Sequence, residues 1–194
     1  MAADSLIPTP LGAFTRAVTI EAPPQKVWPW LAQMGSGRAG WYSYDFIDNN
    51  GAPSSWSILP EHQCVAVGDV FPALPGANDA FLVSAVDAER ELVLTASSSD
   101  GELLVTWDFV LEPLASAQTR LIVRARVAPA WPPVPAGSRP IERIYRLLAV
   151  TPKPLMLVLG RNGHGIMEMK MLRGIKRRAE HRETELSAAP KAAP

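Results

Sequence analysis

The sequence predicts an α+β fold in which a curved antiparallel β-sheet packs against one long C-terminal helix. Three observations lead to this prediction: two short helical segments directly follow the first strand, several strands then succeed one another without intervening helices, and a long segment of helical periodicity lies near the end. A run of strands followed by a helix, rather than strict alternation of the two, is typical of the α+β class.

The composition is that of one ordinary domain, since 194 residues are enough to bury a core and a cavity. The 19 basic and 19 acidic side chains cancel, so no overall field attracts nucleic acid or an anionic membrane. The single cysteine, Cys64, cannot form an internal disulfide, and we expect a buried, inert thiol in a cytoplasmic protein. No secretory signal, integral membrane association, metal or cofactor is predicted, and the oligomeric state is left open.

The first element is a strand within "AFTRAVTIEA", which is rich in β-branched residues. Alternation places Phe14, Val18 and Ile20 on one face, with Arg16 among them. Two prolines then end the strand and suit the first turn of a helix, where the N–H has no partner.

The next stretch, "PQKVWPWLAQM", predicts a helix with a proline early in it. Val27, Trp30, Leu31 and Met34 recur at the helical period, and a glycine follows as a C-cap. As a strand, the same stretch would place Pro29 where a ladder hydrogen bond is needed.

The glycines that follow match the G-x-G-x-x-G pattern of dinucleotide sites through Gly35, Gly37 and Gly40. Such a site needs a strand before the first glycine and a helix opening after the last one. Because a helix comes first here, we expect a loop between two helices and no nucleotide. The second of these helices is predicted in "SYDFIDNNG", with Ser43 as its N-cap and Gly51 closing it.

A series of antiparallel strands is predicted in "CVAVGDVFPAL", "AFLVSAVDAERELVLTAS", "ELLVTWDFVLEP" and "TRLIVRARVAPA". In "LLVTWDFVL", alternation places Thr106 and Asp108 on a face that we expect to be wet. The opposite, buried face consists of Leu103, Val105, Trp107, Phe109 and Leu111.

The C-terminal part begins with a proline-rich connector, "APAWPPVPAGSRP". A helical segment, "IERIYRLLAV", and a long helix through about residue 182 follow it. We therefore divide the chain into an N-terminal extension (1–12), one domain (13–182) and an Ala/Pro tail expected to be disordered (183–194).

Four stretches, "TIEAPPQKVWPWLAQMGSGRAGWYSYDFIDN", "VAVGDV", "TRLIVRARV" and "MEMKMLRGIKRRAE", resemble the START-like, or helix-grip (SRPBCC), superfamily. It includes polyketide cyclases, plant pathogenesis-related proteins and lipid-transfer domains, and residues 13–182 are most similar to a bacterial branch of it. The resemblance implies a helix-grip fold, in which the sheet wraps around the C-terminal helix and leaves an internal cavity for a hydrophobic or amphipathic small molecule. It supplies no catalytic residue, because members use different side chains in that cavity.

Two polar residues, His164 and Glu168, fall on the apolar arc of the C-terminal helix. At a spacing of i and i+4, a carboxylate holds the imidazole tautomer and raises its pKa, as a general base needs. In the alternative, flanking glycines leave His164 in a frayed first turn and Glu168 reaches Arg124, Arg126 or a backbone donor. Two ligands are too few for a metal site.

A second candidate group, Trp41, Tyr42 and Tyr44 beside Asp45, follows the glycine loop and either lines the cavity or closes the end of the core. The predicted ligand-binding residues are Trp41, Tyr42, Tyr44, Trp107, Phe109, His164, Met167, Glu168 and Met171.

Two functions fit these residues. The first is a binding or carrier protein for a hydrophobic or aromatic small molecule, lipid or polyketide-like, in the sheet–helix cavity. The alternative is a cyclase- or dehydratase-type enzyme in which His164 and Glu168, or Tyr42 and Tyr44, move protons. A carrier needs an apolar cavity with one polar anchor, whereas an enzyme needs two or more convergent titratable groups.

Overall fold

Six antiparallel strands form one sheet in the computed structural model, which describes residues 1–74, 80–131, 150 and 152–181. The strands are β1 (Gly12–Ile20), β2 (Val70–Pro72), β3 (Ala80–Asp87), β4 (Glu91–Ser97), β5 (Leu103–Leu114) and β6 (Gln118–Val127). The helices are α1 (Pro24–Ala32), α2 (Asp45–Asp48) and α3 (Lys153–Glu180). The strand order β1-β6-β5-β4-β3-β2 brings the first and last strands together, and α3 packs against β1 and α1.

The predicted strands are confirmed, with one shorter than expected. Most of the first predicted run after the helices is irregular, and only Val70–Pro72 pairs, at the edge of the sheet beside β3. A proline at the end of this strand suits an edge, because it has no N–H for a further ladder. Cys64 lies in the irregular part and is exposed, so the expectation of a buried thiol was wrong.

The glycines form a loop between α1 and α2, as predicted. Gly35 and Gly40 pair with each other as an isolated bridge, and the Gly37 N–H donates to Asn49 Oδ1 at 3.0 Å. Gly40 has a φ of 80° and lies so close to Ser54 that a side chain at this position would overlap the Ser54 hydroxyl. The loop is therefore held by partners within the chain.

Ser43 does not cap α2, which corrects the sequence-based prediction. The N-cap position is Tyr44, without a side-chain cap bond. The Ser43 hydroxyl instead donates to the Met167 carbonyl of α3 at 3.0 Å. This bond attaches the loop before α2 to the C-terminal helix.

Helix α3 begins well before His164 in the chain. Because α3 begins at Lys153, His164 lies in its interior and not in a frayed first turn. The predicted apolar arc is buried at Met171, Leu172 and Ile175, which join the core under the sheet. The predicted connector and helical segment at 132–149 and the tail at 183–194 fall outside the described residues, and none of the described helices is long and apolar enough to cross a bilayer.

The outer face of the sheet is covered at its centre by the N-terminal extension. The side chains of Thr106 and Asp108 have no exposed surface, so the prediction of a wet face was wrong at these positions. Residues 2–5 form a 3-10 turn over β5, and the Ala3 N–H donates to Asp108 Oδ2 at 3.2 Å. Asp4 pairs with Arg124 and Arg126 of β6. The extension carries no strand-like alternation, so its packing was not visible in the sequence.

The buried Asp108 carboxyl predicts a pH-dependent stability. Burial, with a further contribution from nearby Glu91, raises the pKa of Asp108 to about 6, although the Ala3 N–H and the N-terminal charge oppose this. The pKa in the unfolded chain is near 3.9, so the folded protein binds the proton more tightly and its stability falls as pH rises from about 4 to about 6. Asp108→Asn removes this decline, and urea denaturation at a series of pH values measures it. The exposed Asp100→Asn is the control, and parallel profiles for wild type and Asp108→Asn would contradict the prediction.

Because α3 packs closely on the loop before α2, we expect Gly174 to tolerate no side chain. A Cβ at Gly174 would overlap the carbonyl oxygen and side chain of Tyr42. In an exposed helix, Gly→Ala stabilises by up to about 1 kcal/mol, but here overpacking against backbone makes Gly174→Ala cost about 1–3 kcal/mol. Thermal denaturation is expected to show a lower Tm, whereas Arg173→Ala at the exposed neighbouring position leaves it nearly unchanged. An unchanged or higher Tm for Gly174→Ala would contradict this packing.

Candidate functional site

An apolar pocket of about 200 Å³ lies between the sheet and α3. Its lining comes from the residues just after the glycine loop, from α2, from the residues that follow β2, from β3 and β5, and from one face of α3. The residues are Trp41, Ser43, Asp48, Ala73, Leu74, Phe81, Trp107, His164, Met167, Glu168 and Met171.

Three aromatic rings form one wall of this pocket. Trp107 has its ring centroid 5.6 Å from that of Trp41 and 5.4 Å from that of Phe81, and Trp41 and Phe81 lie 5.8 Å apart edge to face. Phe109 supports this wall, because its fully buried ring packs on Trp107 at 4.9 Å. The wall therefore offers an apolar surface with polarisable faces and edges.

The carboxylate of Glu168 is fully buried and bonded at both oxygens. Arg16 Nη1 donates to Oε2 at 2.5 Å, and the Trp107 indole N–H donates to Oε1 at 3.0 Å. Arg16 is the residue that the sequence places among apolar neighbours on the inner face of β1. A buried carboxylate must be paired and hydrogen-bonded to be tolerated, and this one meets both conditions through structural partners.

Neither of the two alternatives for Glu168 is realised, because it pairs with neither His164 nor Arg124 or Arg126. The imidazole lies against Trp107, with ring centroids 5.4 Å apart, and has no hydrogen bond within the described part of the chain. Desolvation lowers the pKa of His164; Glu168 opposes the shift and Arg16 adds to it. By its accessible surface the residue is exposed, so this desolvation is limited, and the neutral form is favoured at neutral pH. The two side chains share the pocket without one orienting the other.

A second carboxyl in the pocket, Asp48, was not predicted from the sequence. It lies at the end of α2 and is buried; its Oδ2 accepts the Tyr44 N–H at 3.3 Å. Its Oδ1 is buried and has no hydrogen-bond partner among the residues that the structure describes. Burial raises the pKa of Asp48, and Asp45 contributes in the same direction, while the backbone bond and Lys170 oppose the shift. The only feature of the sequence that could have pointed to Asp48 is its position three residues after Asp45, close to the aromatic residues Trp41, Tyr42 and Tyr44.

Six of the nine predicted ligand-binding residues line the pocket, and three do not. Phe109 stands behind the wall, and Tyr42 is buried on another side of the loop, where its hydroxyl donates to the Trp30 carbonyl at 3.1 Å. Burial raises the pKa of Tyr42 well above its ordinary value. Tyr44 is exposed outside the pocket beneath the Lys170 ammonium, which lies 3.7 Å from its ring centroid. Neither tyrosine is placed to transfer a proton in the pocket.

Metal binding has no support in the described ranges, where no group of three or more His, Cys, Asp or Glu side chains is placed to hold an ion. Glu168, the carboxylate that α3 contributes to the pocket, already accepts hydrogen bonds from Arg16 and Trp107.

Comparisons with known proteins concern the fold. No protein-family model matches the sequence, and no curated protein matches it. Solved structures with a similar fold include a polyketide cyclase-like protein from Corynebacterium glutamicum (16% identity, 92% of this chain and 99% of that one, TM-score 0.47). A protein from Mesorhizobium loti is 18% identical over 86% of this chain and 98% of that one, with a TM-score of 0.43. A protein from Chromobacterium violaceum is 12% identical over 88% of this chain and 99% of that one, with a TM-score of 0.46. At such identities the likeness is one of fold alone. The six-stranded antiparallel sheet and the long C-terminal helix confirm the predicted helix-grip fold.

Proposed function

We propose that this protein binds a hydrophobic or aromatic small molecule in the pocket between the sheet and α3 and carries it without transforming it. The observation that supports this most is the state of Glu168. Both of its oxygens are occupied by Arg16 and Trp107, so Glu168 is not free to act as a general base, and the pocket presents mainly aromatic rings and methionines.

The size of the pocket limits the ligand. A volume of about 200 Å³ is below the roughly 300–1,000 Å³ of drug-sized sites, which favours a molecule of one or two rings or a short apolar chain. Met167 and Met171 line the α3 side, and their flexible side chains let the pocket adjust to an irregular outline.

Asp48 supplies the polar anchor that a carrier pocket needs. A buried acceptor without a partner costs free energy, which a ligand bearing a hydroxyl or amine group would recover by donating to Oδ1. The neutral His164 ring adds one donor and one acceptor to the same pocket. The ligand that fits best is therefore apolar over most of its surface, with at least one hydrogen-bond donor.

An enzyme of cyclase or dehydratase type is the second candidate, and it is favoured by one observation. His164 lies at the pocket and is favoured in its neutral form, in which it can accept a proton. Asp48, with its raised pKa, would be the acid in such a reaction. This version of the enzyme hypothesis needs neither Glu168 nor the tyrosines.

Native mass spectrometry of the protein purified from its own host, followed by denaturing extraction, tests the proposal. We expect a small apolar molecule bound to the wild type. Met167→Trp fills the pocket and should lower its occupancy about tenfold or more, because a steric overlap of this kind costs at least about 1.4 kcal/mol. Val67→Trp introduces the same side chain at an exposed position outside the pocket and should retain the molecule.

Two results would overturn the carrier proposal. One is equal occupancy in the wild type and in Met167→Trp, which would place the molecule elsewhere. The other is conversion of the bound molecule during incubation with loss of conversion in His164→Ala, which would establish the enzyme instead.

A further inference from the structure

A second concave surface lies on the other side of α3. It is a groove of about 720 Å³ between α3 and residues 42–56, and it shares only Ser43 with the pocket among the described lining residues. The residues that line it are Arg16, Tyr42, Ser43, Tyr44, Asp45, Pro53, Ser54, Trp56, Gly165, Ile166, Met169, Lys170, Arg173, Gly174, Arg177 and Arg178.

The charge of this groove is strongly unbalanced. Five of its described lining residues are Lys or Arg, and one, Asp45, is acidic. Of the five, Arg16 is paired with Glu168, and Arg178 donates to the carbonyls of Ser54 and Ser55. These two have structural roles, which leaves three cations for a partner.

The remaining three cations are Lys170, Arg173 and Arg177. At i, i+3 and i+7 they lie along one face of α3, and all are exposed. Within the described residues none of them has an ion pair, and the Lys170 ammonium lies over the Tyr44 ring. The whole chain is neutral because its acidic residues lie elsewhere, several of them in the turns that join β3, β4 and β5.

Large apolar side chains are exposed at the same groove. Trp56 and Ile166 line it, and each has 60% of its surface exposed. On α2, whose first residue lines the groove, Phe46 is 90% exposed and Ile47 is 55% exposed. Apolar side chains of this size grouped beside a concave surface mark a site of interaction.

We propose that this face docks the protein on the surface of an anionic lipid membrane. Lys and Arg near an anionic leaflet are attracted to its headgroups. Tyr and Trp favour the headgroup level, and aliphatic and phenyl groups enter the acyl boundary. The groove offers Lys170, Arg173 and Arg177 for the headgroups and Trp56 for the interface. The adjoining helix α2 offers Phe46 for the apolar layer.

A nucleic acid is the other polyanion to consider, and the aliphatic residues favour the membrane over it. Single-stranded nucleic acid binds through cations and stacked aromatic rings. Ile47 and Ile166 have no role in such a contact, whereas both suit a lipid surface. The docking requires no molecule in the pocket, so it stands apart from the carrier proposal.

Vesicle flotation with the full chain tests the docking. Vesicles of phosphatidylcholine mixed with phosphatidylserine are expected to bind the wild type, and vesicles of phosphatidylcholine alone to bind it much more weakly. The variant Lys170→Glu, Arg173→Glu, Arg177→Glu should lose about a hundredfold or more in affinity for the mixed vesicles, since each cation contributes roughly fivefold. Phe46→Ser should weaken binding at constant charge.

Matched controls separate docking from a general charge effect. Lys26→Glu, Arg90→Glu, Arg120→Glu changes the net charge equally at exposed positions outside the groove and should bind nearly as well as the wild type. Val67→Ser is the control for Phe46→Ser. The proposal is overturned by equal wild-type binding to both vesicle types, by an equal loss in the control variants, or by tighter binding to a single-stranded oligonucleotide than to the mixed vesicles. Met167→Trp, which fills the pocket, should bind the mixed vesicles as the wild type does. Membrane docking is thereby tested separately from ligand binding in the pocket.

Discussion

The buried carboxylate of Glu168 joins three parts of the molecule at one point: α3, which carries it, β1 through Arg16, and β5 through the Trp107 indole. A carboxylate removed from water is tolerated only when charge and hydrogen bonds compensate its desolvation. Together with the bonds from Ser43, Lys176 and Arg178, these partners help to fix the rotation of α3 about its axis and its distance from the sheet. That rotation turns Met167 and Met171 toward the aromatic wall and leaves Lys170 and Arg173 on the outer side.

The same ion pair decides what the pocket can do. A general base needs a free carboxylate or an imidazole that a neighbour orients, and here the carboxylate is engaged while His164 is left without a partner. What remains among the described lining residues is a concave aromatic surface with a buried acceptor, Asp48 Oδ1, that has no partner. Such a surface suits the proposed recognition of a ligand by its shape and a donor group.

Much of the fold could be predicted from the sequence, because alternation in the strands and the helical period of α3 are local signals. The same signals identified Trp107 and the arc of α3 as parts of a cavity wall. They could not show that Arg16, distant in sequence from Glu168, takes the carboxylate away from His164, since spacing of i and i+4 fixes a shared face and not the partner chosen. Nor could they show that a non-periodic N-terminal extension buries Asp108. In each case the local pattern gave the face of the element correctly, and a long-range contact then decided which partner the side chain has.

A double-mutant cycle on Arg16 and Glu168 tests the central role of the pair most directly. Arg16→Met leaves a buried carboxylate without its charge partner and should lower the free energy of unfolding by about 3–5 kcal/mol. Adding Glu168→Gln removes that charge while keeping an acceptor for Trp107. We expect the double variant to be more stable than Arg16→Met alone, with a coupling energy of at least about 1 kcal/mol. Simple addition of the two losses would contradict it, because Glu168 would then not depend on Arg16 for its place in the core.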